Sequence, residues 1–125
     1  MHFIDTLKHK IFKPAEVENS ENIIKIFLID DQEEFLLLFE QFIINQLKKE
    51  ILICNKEVLI FKFSSAKDAI AAVNLQPHII LLDYYLGDNQ NGDYAYKVLS
   101  EKLPKTEIIM VSGLEDAHLV HLLIQ

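Results

Sequence analysis

Two short runs of this chain are apolar at nearly every position, and each ends on aspartate. Ile23-Ile24-Lys25-Ile26-Phe27-Leu28-Ile29 stops at Asp30-Asp31, and His78-Ile79-Ile80-Leu81-Leu82 stops at Asp83. A strand with one solvated face alternates apolar and polar residues. Runs without that alternation read as strands buried on both faces, the situation in a parallel sheet between two helix layers. Around them the pattern switches repeatedly between strand and helix. Phe35, Leu38, Phe39, Phe42, Ile43 and Leu47 recur at helical spacing, and residues 57–63 read as a second strand. Ser64 or Ser65 can cap a short helix carrying Ala66, Ala69, Ile70 and Val73. Beyond Asp83, a Gly/Asp/Asn-rich loop spans residues 87–92, and a helix carries Tyr94, Ala95, Val98 and Leu99. A fourth strand at 106–111 ends at Ser112-Gly113, and a Leu-rich helix begins at Glu115. This β-α-β-α-β-α-β-α order predicts the α/β class, an open, doubly wound parallel sheet.

The 125 residues suit one domain. Residues 1–22 read as an amphipathic arm and linker. Phe3, Ile4, Leu7, Ile11 and Phe12 recur at roughly helical spacing, Pro14 ends the pattern, and a polar stretch follows. The domain proper is then 23–125. Twelve basic residues, all Lys, against nineteen acidic ones give a net charge of −7, so this chain alone is not expected to bind nucleic acid. No apolar run reaches the roughly 18 residues that a membrane span needs. Cys54 is the single cysteine, which excludes an intramolecular disulfide and is read as a small buried hydrophobe. With no signal peptide apparent, a cytoplasmic location is expected. The five histidines show no metal-ligand spacing with carboxylates, and His118 and His121 are expected to be exposed.

In open α/β sheets, ligands sit beyond the C-terminal ends of the strands. Asp30, Asp31, Asp83 and Ser112 all fall there, so three strands would bring three carboxylates and a hydroxyl to one edge. Carboxylates this close repel unless a cation is shared. An oxygen-only donor set suits a hard ion such as Mg²⁺. An Asp carboxylate can also act as the nucleophile in phosphoryl transfer, and a hydroxyl at Ser112 could hydrogen-bond a phosphoryl oxygen.

These segments resemble the receiver domain of two-component response regulators. Residues 26–35 are similar to its first strand and acidic pair, residues 77–88 to its third strand and phospho-acceptor turn, and residues 108–113 to its fourth strand with the switch Ser/Thr. The resemblance implies a flavodoxin-like fold, in which five parallel strands of order 2-1-3-4-5 are flanked by five helices. It further implies that Asp83 accepts a phosphoryl group from a histidine kinase or phosphotransfer protein. Asp31, Asp83 and the backbone carbonyl of Tyr85 would hold Mg²⁺, with Asp30 reaching it through water, and Ser112 would turn toward the phosphoryl group. The domain would catalyse only its own phosphorylation and dephosphorylation, and so is not expected to be an enzyme acting on a separate substrate.

Three departures stand out. Gly87 and Asn91 occupy positions where many receivers carry Pro and Gly. The distance from Asp31 to Asp83 is long, which predicts an extended loop around residues 48–56. The family's fifth strand, its terminal Lys and its fifth helix have no counterpart, and Lys97, Lys102 and Lys105 lie too early to supply that Lys. The expected sheet is therefore 2-1-3-4 in a C-terminally truncated domain. The arm could cover the bare face, or a second copy could complete the fold as a homodimer or by exchange of elements. Without the Lys, a pseudo-receiver that binds partners but is not productively phosphorylated is the alternative. A Mg²⁺-dependent phosphohydrolase is disfavoured, because that class places a second Asp two residues after the nucleophile, where this chain has Tyr85.

Overall fold

A computed structural model of the chain describes residues 2–12, 22–83 and 92–111. The described elements are α1 (His2–Ile11), β1 (Ile23–Ile29), α2 (Glu33–Cys54), β2 (Glu57–Phe63), α3 (Ala66–Ala71), a 3₁₀ turn (Val73–Leu75), β3 (Ile79–Asp83), α4 (Gly92–Lys102) and β4 (Glu107–Val111). The four strands form one parallel sheet of order β2-β1-β3-β4, as the alternating pattern predicts. The segments holding Tyr85, Ser112, His118 and His121 and the final helix lie outside the described residues.

Strand parity divides the core into two layers. Ile24, Ile26 and Leu28 of β1 and Ile79 and Leu81 of β3 point to one face, where they pack with α1 and α2. Phe27, Ile29, Ile80 and Leu82 point to the other, against Ala66 and Ala69 of α3 and Ala95 and Leu99 of α4. Both central strands are thus buried on both sides, which accounts for their lack of polar alternation. Ser65 caps α3 by accepting a hydrogen bond from the Asp68 N–H at 3.1 Å, which settles the choice between the two serines. Ser65→Ala should cost about 1 kcal/mol in a denaturant melt. No helix among the described residues is long and apolar enough to cross a membrane.

Helix α2 corrects three expectations. Residues 48–54 are helical rather than part of an extended loop, so the helix runs 22 residues to a left-handed cap at Asn55, whose N–H returns to the Ile51 carbonyl. Lys48, Lys49 and Glu50 are good helix formers, and Leu47 and Ile51 carry the apolar stripe onward past them. Cys54, as the last residue of this helix, is exposed rather than buried. The buried stripe is Phe35, Leu36, Phe39, Ile43 and Leu47, while Leu38 stands 38% exposed. The order of apolar residues over 35–39 left its phase ambiguous.

The N-terminal helix belongs to the core. Ile4, Leu7 and Ile11 are buried, and Leu7 and Ile11 join the cluster formed by α2, Ile24, Ile79 and Leu81. Ion pairs fix the helix at both sides, Lys8 to Glu50 of α2 at 3.2 Å and Lys10 to Glu107 of β4 at 3.0 Å. Being partly exposed, these pairs contribute little beside the apolar burial. Leu7→Ala should therefore destabilise the protein by about 2–5 kcal/mol, as a core truncation does. A change within about 0.5 kcal/mol, typical of surface sites, would show that the helix is peripheral.

Candidate metal and phosphoryl site

The strand register that builds the core also assembles the site. Ile29 of β1 pairs with Leu82 of β3, so the next residues along each strand, Asp30 and Asp83, come side by side. Both continue the parity of Ile26, Leu28, Ile79 and Leu81 and so fall on the α2 side of the sheet. Asp30 is tied down at its backbone, its N–H donating to the Phe63 carbonyl at the end of β2 (3.1 Å). Asp83 is paired with Val111, the last described residue of β4, immediately before Ser112.

Asp30, Asp31 and Asp83 can each present a carboxylate oxygen such that all three lie within 4.8 Å of one another. Asp30 and Asp83 are essentially buried, at 0% and 1% exposure, whereas Asp31 is open to solvent. Asp30 Oδ1 accepts the Gln32 N–H at 2.9 Å, closing an Asx turn that leads into α2. Asp30 Oδ2 is buried with no hydrogen-bond donor. The Asp30 carboxyl is pushed up to about 7, chiefly by burial, with further upward contributions from the Asp83 charge and from the hydrogen bond and charge of Asp31. The Gln32 N–H opposes the rise. The charges acting on Asp30 are thus both negative, and an unshared cluster of this kind is costly when ionised.

The residues fit a hard divalent cation on two grounds. A buried carboxylate oxygen without a donor lacks what a cation supplies, and every donor in the cluster is an oxygen. An octahedral Mg²⁺ site spans about 4.2 Å between opposite oxygens, twice its ligand distance. Carboxylate oxygens within 4.8 Å of one another are on the scale of such a site. Two exposed carboxylates, Glu33 and Glu34, sit in the first turn of α2, and the amino end of that helix faces the cluster after only one intervening residue, Gln32.

Three of the residues singled out from sequence are therefore together, Asp30, Asp31 and Asp83. Tyr85 and Ser112 lie outside the described residues. Lys97, Lys102 and Lys105 are exposed, as expected, and Lys62 is held by Glu40 at 2.6 Å. Two backbone groups were not anticipated, the Gln32 N–H that clamps Asp30 and the Phe63 carbonyl that anchors it. An aspartate two residues before the residue that precedes a helix, here Gln32, is the sequence signal for the first. The second requires the β1–β2 register.

No protein-family model and no curated protein matches this sequence. Solved structures do resemble it. The response regulator domain of Thermotoga maritima CheB aligns with a TM-score of 0.56 at 24% identity, covering 82% of this chain and 71% of its own. The receiver domain of DrrB, in a BeF₃-activated state, gives a TM-score of 0.56 at 20% identity, covering 82% of this chain and 76% of its own. A response regulator receiver protein from Sinorhizobium medicae gives 0.56 at 23%, over 77% and 73%. At these identities the likeness establishes the fold. The chain has the receiver-domain fold, a flavodoxin-like α/β sheet of order 2-1-3-4 among the described residues.

Proposed function

We propose that this chain is a phospho-accepting receiver domain of a two-component or phosphorelay system, with Asp83 as the acceptor and Mg²⁺ as its cofactor. The observation that carries this reading is the side-by-side placement of buried Asp30 and Asp83 beyond paired parallel strands, with Asp31 beside them. The resemblance of the sequence around these residues, and the fold they share with solved receivers, support it.

In this reading a carboxylate oxygen of Asp83 attacks the phosphorus of a phosphoryl donor, such as the phosphohistidine of a kinase. The new O–P bond forms as the N–P bond breaks, and the imidazole leaves with the electron pair and takes a proton. Water later attacks the aspartyl phosphate and returns the carboxylate. Asp30, Asp31 and Asp83, with the Tyr85 carbonyl, would hold Mg²⁺, which when bound neutralises charge on the phosphoryl oxygens. Burial fixes Asp83 at the strand end and limits water around it. Ser112, the residue after Val111 in the sequence, would donate a hydrogen bond from its hydroxyl to a phosphoryl oxygen. Occupancy at Asp83 would then shift the segment after β4 and present a changed surface to a partner protein. The chain acts in the cytoplasm and turns over no separate substrate.

The second reading is a pseudo-receiver that engages partners without phosphorylation. It draws on the charges acting on Asp30, which are carboxylates with no lysine among them. Beryllium fluoride with Mg²⁺ separates the two. The phospho-acceptor should show a saturable rise in its thermal midpoint that needs both components. A folded chain that binds Mg²⁺ yet ignores beryllium fluoride would favour the pseudo-receiver.

A further inference from the structure

At the pole of the sheet opposite the aspartates, a groove of about 650 Å³ opens between the starts of β1, β3 and β4, the end of α1 and the turn after α4. Among the described residues, its walls carry Lys10, Lys25, Lys102, Lys105 and His78, against a single carboxylate, Glu107. That balance is unusual for this chain, which has nineteen acidic residues to twelve lysines and a net charge of −7. The cations come from separate places: Lys10 from α1, Lys25 from β1, and Lys102 and Lys105 from the approach to β4. Lys10 is engaged with Glu107 at 3.0 Å, and Lys25 Nζ donates to the Leu75 carbonyl at 3.0 Å. Lys102 and Lys105 are exposed and make no ion pair or hydrogen bond among the described residues.

Four lysines against one carboxylate among the described lining residues give the concavity a positive field, which favours an anion shared among them. Lys102, in the last turn of α4, also complements that helix's dipole, but Lys25 lies on a strand and Lys105 beyond the helix, so the dipole does not account for the set. The groove's volume falls within the range of small-molecule sites. We propose that this groove binds a small polyanion carrying two or more phosphate or carboxylate groups, with Lys102 and Lys105 as its principal contacts. Lys10 and Lys25 flank the site and extend its positive field. Because α1 and the α4–β4 turn both contribute, a bound polyanion would pin the N-terminal helix to the β4 side of the sheet.

The test is calorimetric titration of the whole chain with inorganic tripolyphosphate and, separately, with citrate. Both runs use metal-free buffer containing a chelator, with ionic strength matched by sodium chloride. Saturable one-to-one binding by the wild type is expected. Lys102→Glu with Lys105→Glu, both at exposed positions, should weaken it at least about tenfold with an unchanged circular dichroism spectrum. A response to tripolyphosphate alone assigns phosphate groups, and one to citrate alone assigns carboxylates. Unchanged affinity in the double variant, or heats no larger than those of sodium chloride, would overturn the proposal. So would a polyglutamate peptide that binds more tightly than either small anion, since that identifies an acidic protein segment as the ligand.

Discussion

Asp83→Asn should abolish phosphoryl acceptance completely while making the metal-free domain more stable. Both effects have one cause. Asp83 is buried beside Asp30, and its charge is among the causes that raise the Asp30 carboxyl. An amide at position 83 keeps the shape and a carbonyl oxygen but removes a charge that burial and Asp30 disfavour. The gain should be on the order of 1–2 kcal/mol, the size of a typical single stabilising substitution. The amide is also a poor nucleophile, so no acyl phosphate forms on it. Urea melts in chelator, paired with labelling by acetyl phosphate, check both effects. A variant that is less stable than the wild type and still labels would place the acceptor elsewhere.

The second large effect is on pH dependence. The Asp30 carboxyl sits near 7 in the folded chain, against 3.8 for an ordinary aspartate. Between those values the folded state binds a proton that the unfolded state has released, so stability must fall as pH rises. The contribution is complete below about pH 4 and lost above about pH 7. Three pH units at about 1.4 kcal/mol each give roughly 4 kcal/mol as the upper scale of the change. Other carboxylates titrate over the same interval, so the useful quantity is the difference between wild type and Asp30→Asn. The variant retains an acceptor for the Gln32 N–H. Without metal it should match the wild type near pH 4.5 and exceed it at pH 8 by a few kcal/mol. Excess Mg²⁺ at pH 8 should close most of that gap by stabilising the wild type, since a cation meets the buried oxygen that has no donor. Parallel stability curves for the two proteins from pH 4.5 to 8 would show that Asp30 does not titrate in this window.

Much of this arrangement is legible in the residues themselves. Ile26, Leu28, Ile79 and Leu81 announce buried parallel strands, and once two such strands pair in register, parity alone places Asp30 beside Asp83. Ser65 and the helix it caps follow from local chemistry. Leu36 and Leu38 could not be told apart, because five apolar residues in succession, 35–39, satisfy several helical phases, and only contact with the sheet chooses one. Residues 48–54 were misread because the long interval from Asp31 to Asp83 was assigned to a loop, although Lys and Glu extend helices readily and Leu47 and Ile51 kept the stripe in phase. The exposure of Cys54 follows from that same extension. The N-terminal helix carried an apolar stripe, with the bare face of the domain as one of its expected destinations. Its place against α2, Ile24 and Ile79 depends on contacts distant in sequence, which periodicity does not encode. The raised Asp30 carboxyl was likewise out of reach, since it arises from burial.

The central claim, that Asp83 is a phospho-acceptor, meets its most direct test in mass spectrometry of the wild-type chain after incubation with acetyl phosphate and Mg²⁺. The account predicts the mass of one added phosphoryl group, dependent on Mg²⁺ and labile to hydroxylamine, mapped to the peptide that contains Asp83. An unmodified mass in folded, Mg²⁺-loaded protein, under conditions that modify an established receiver domain, would contradict it.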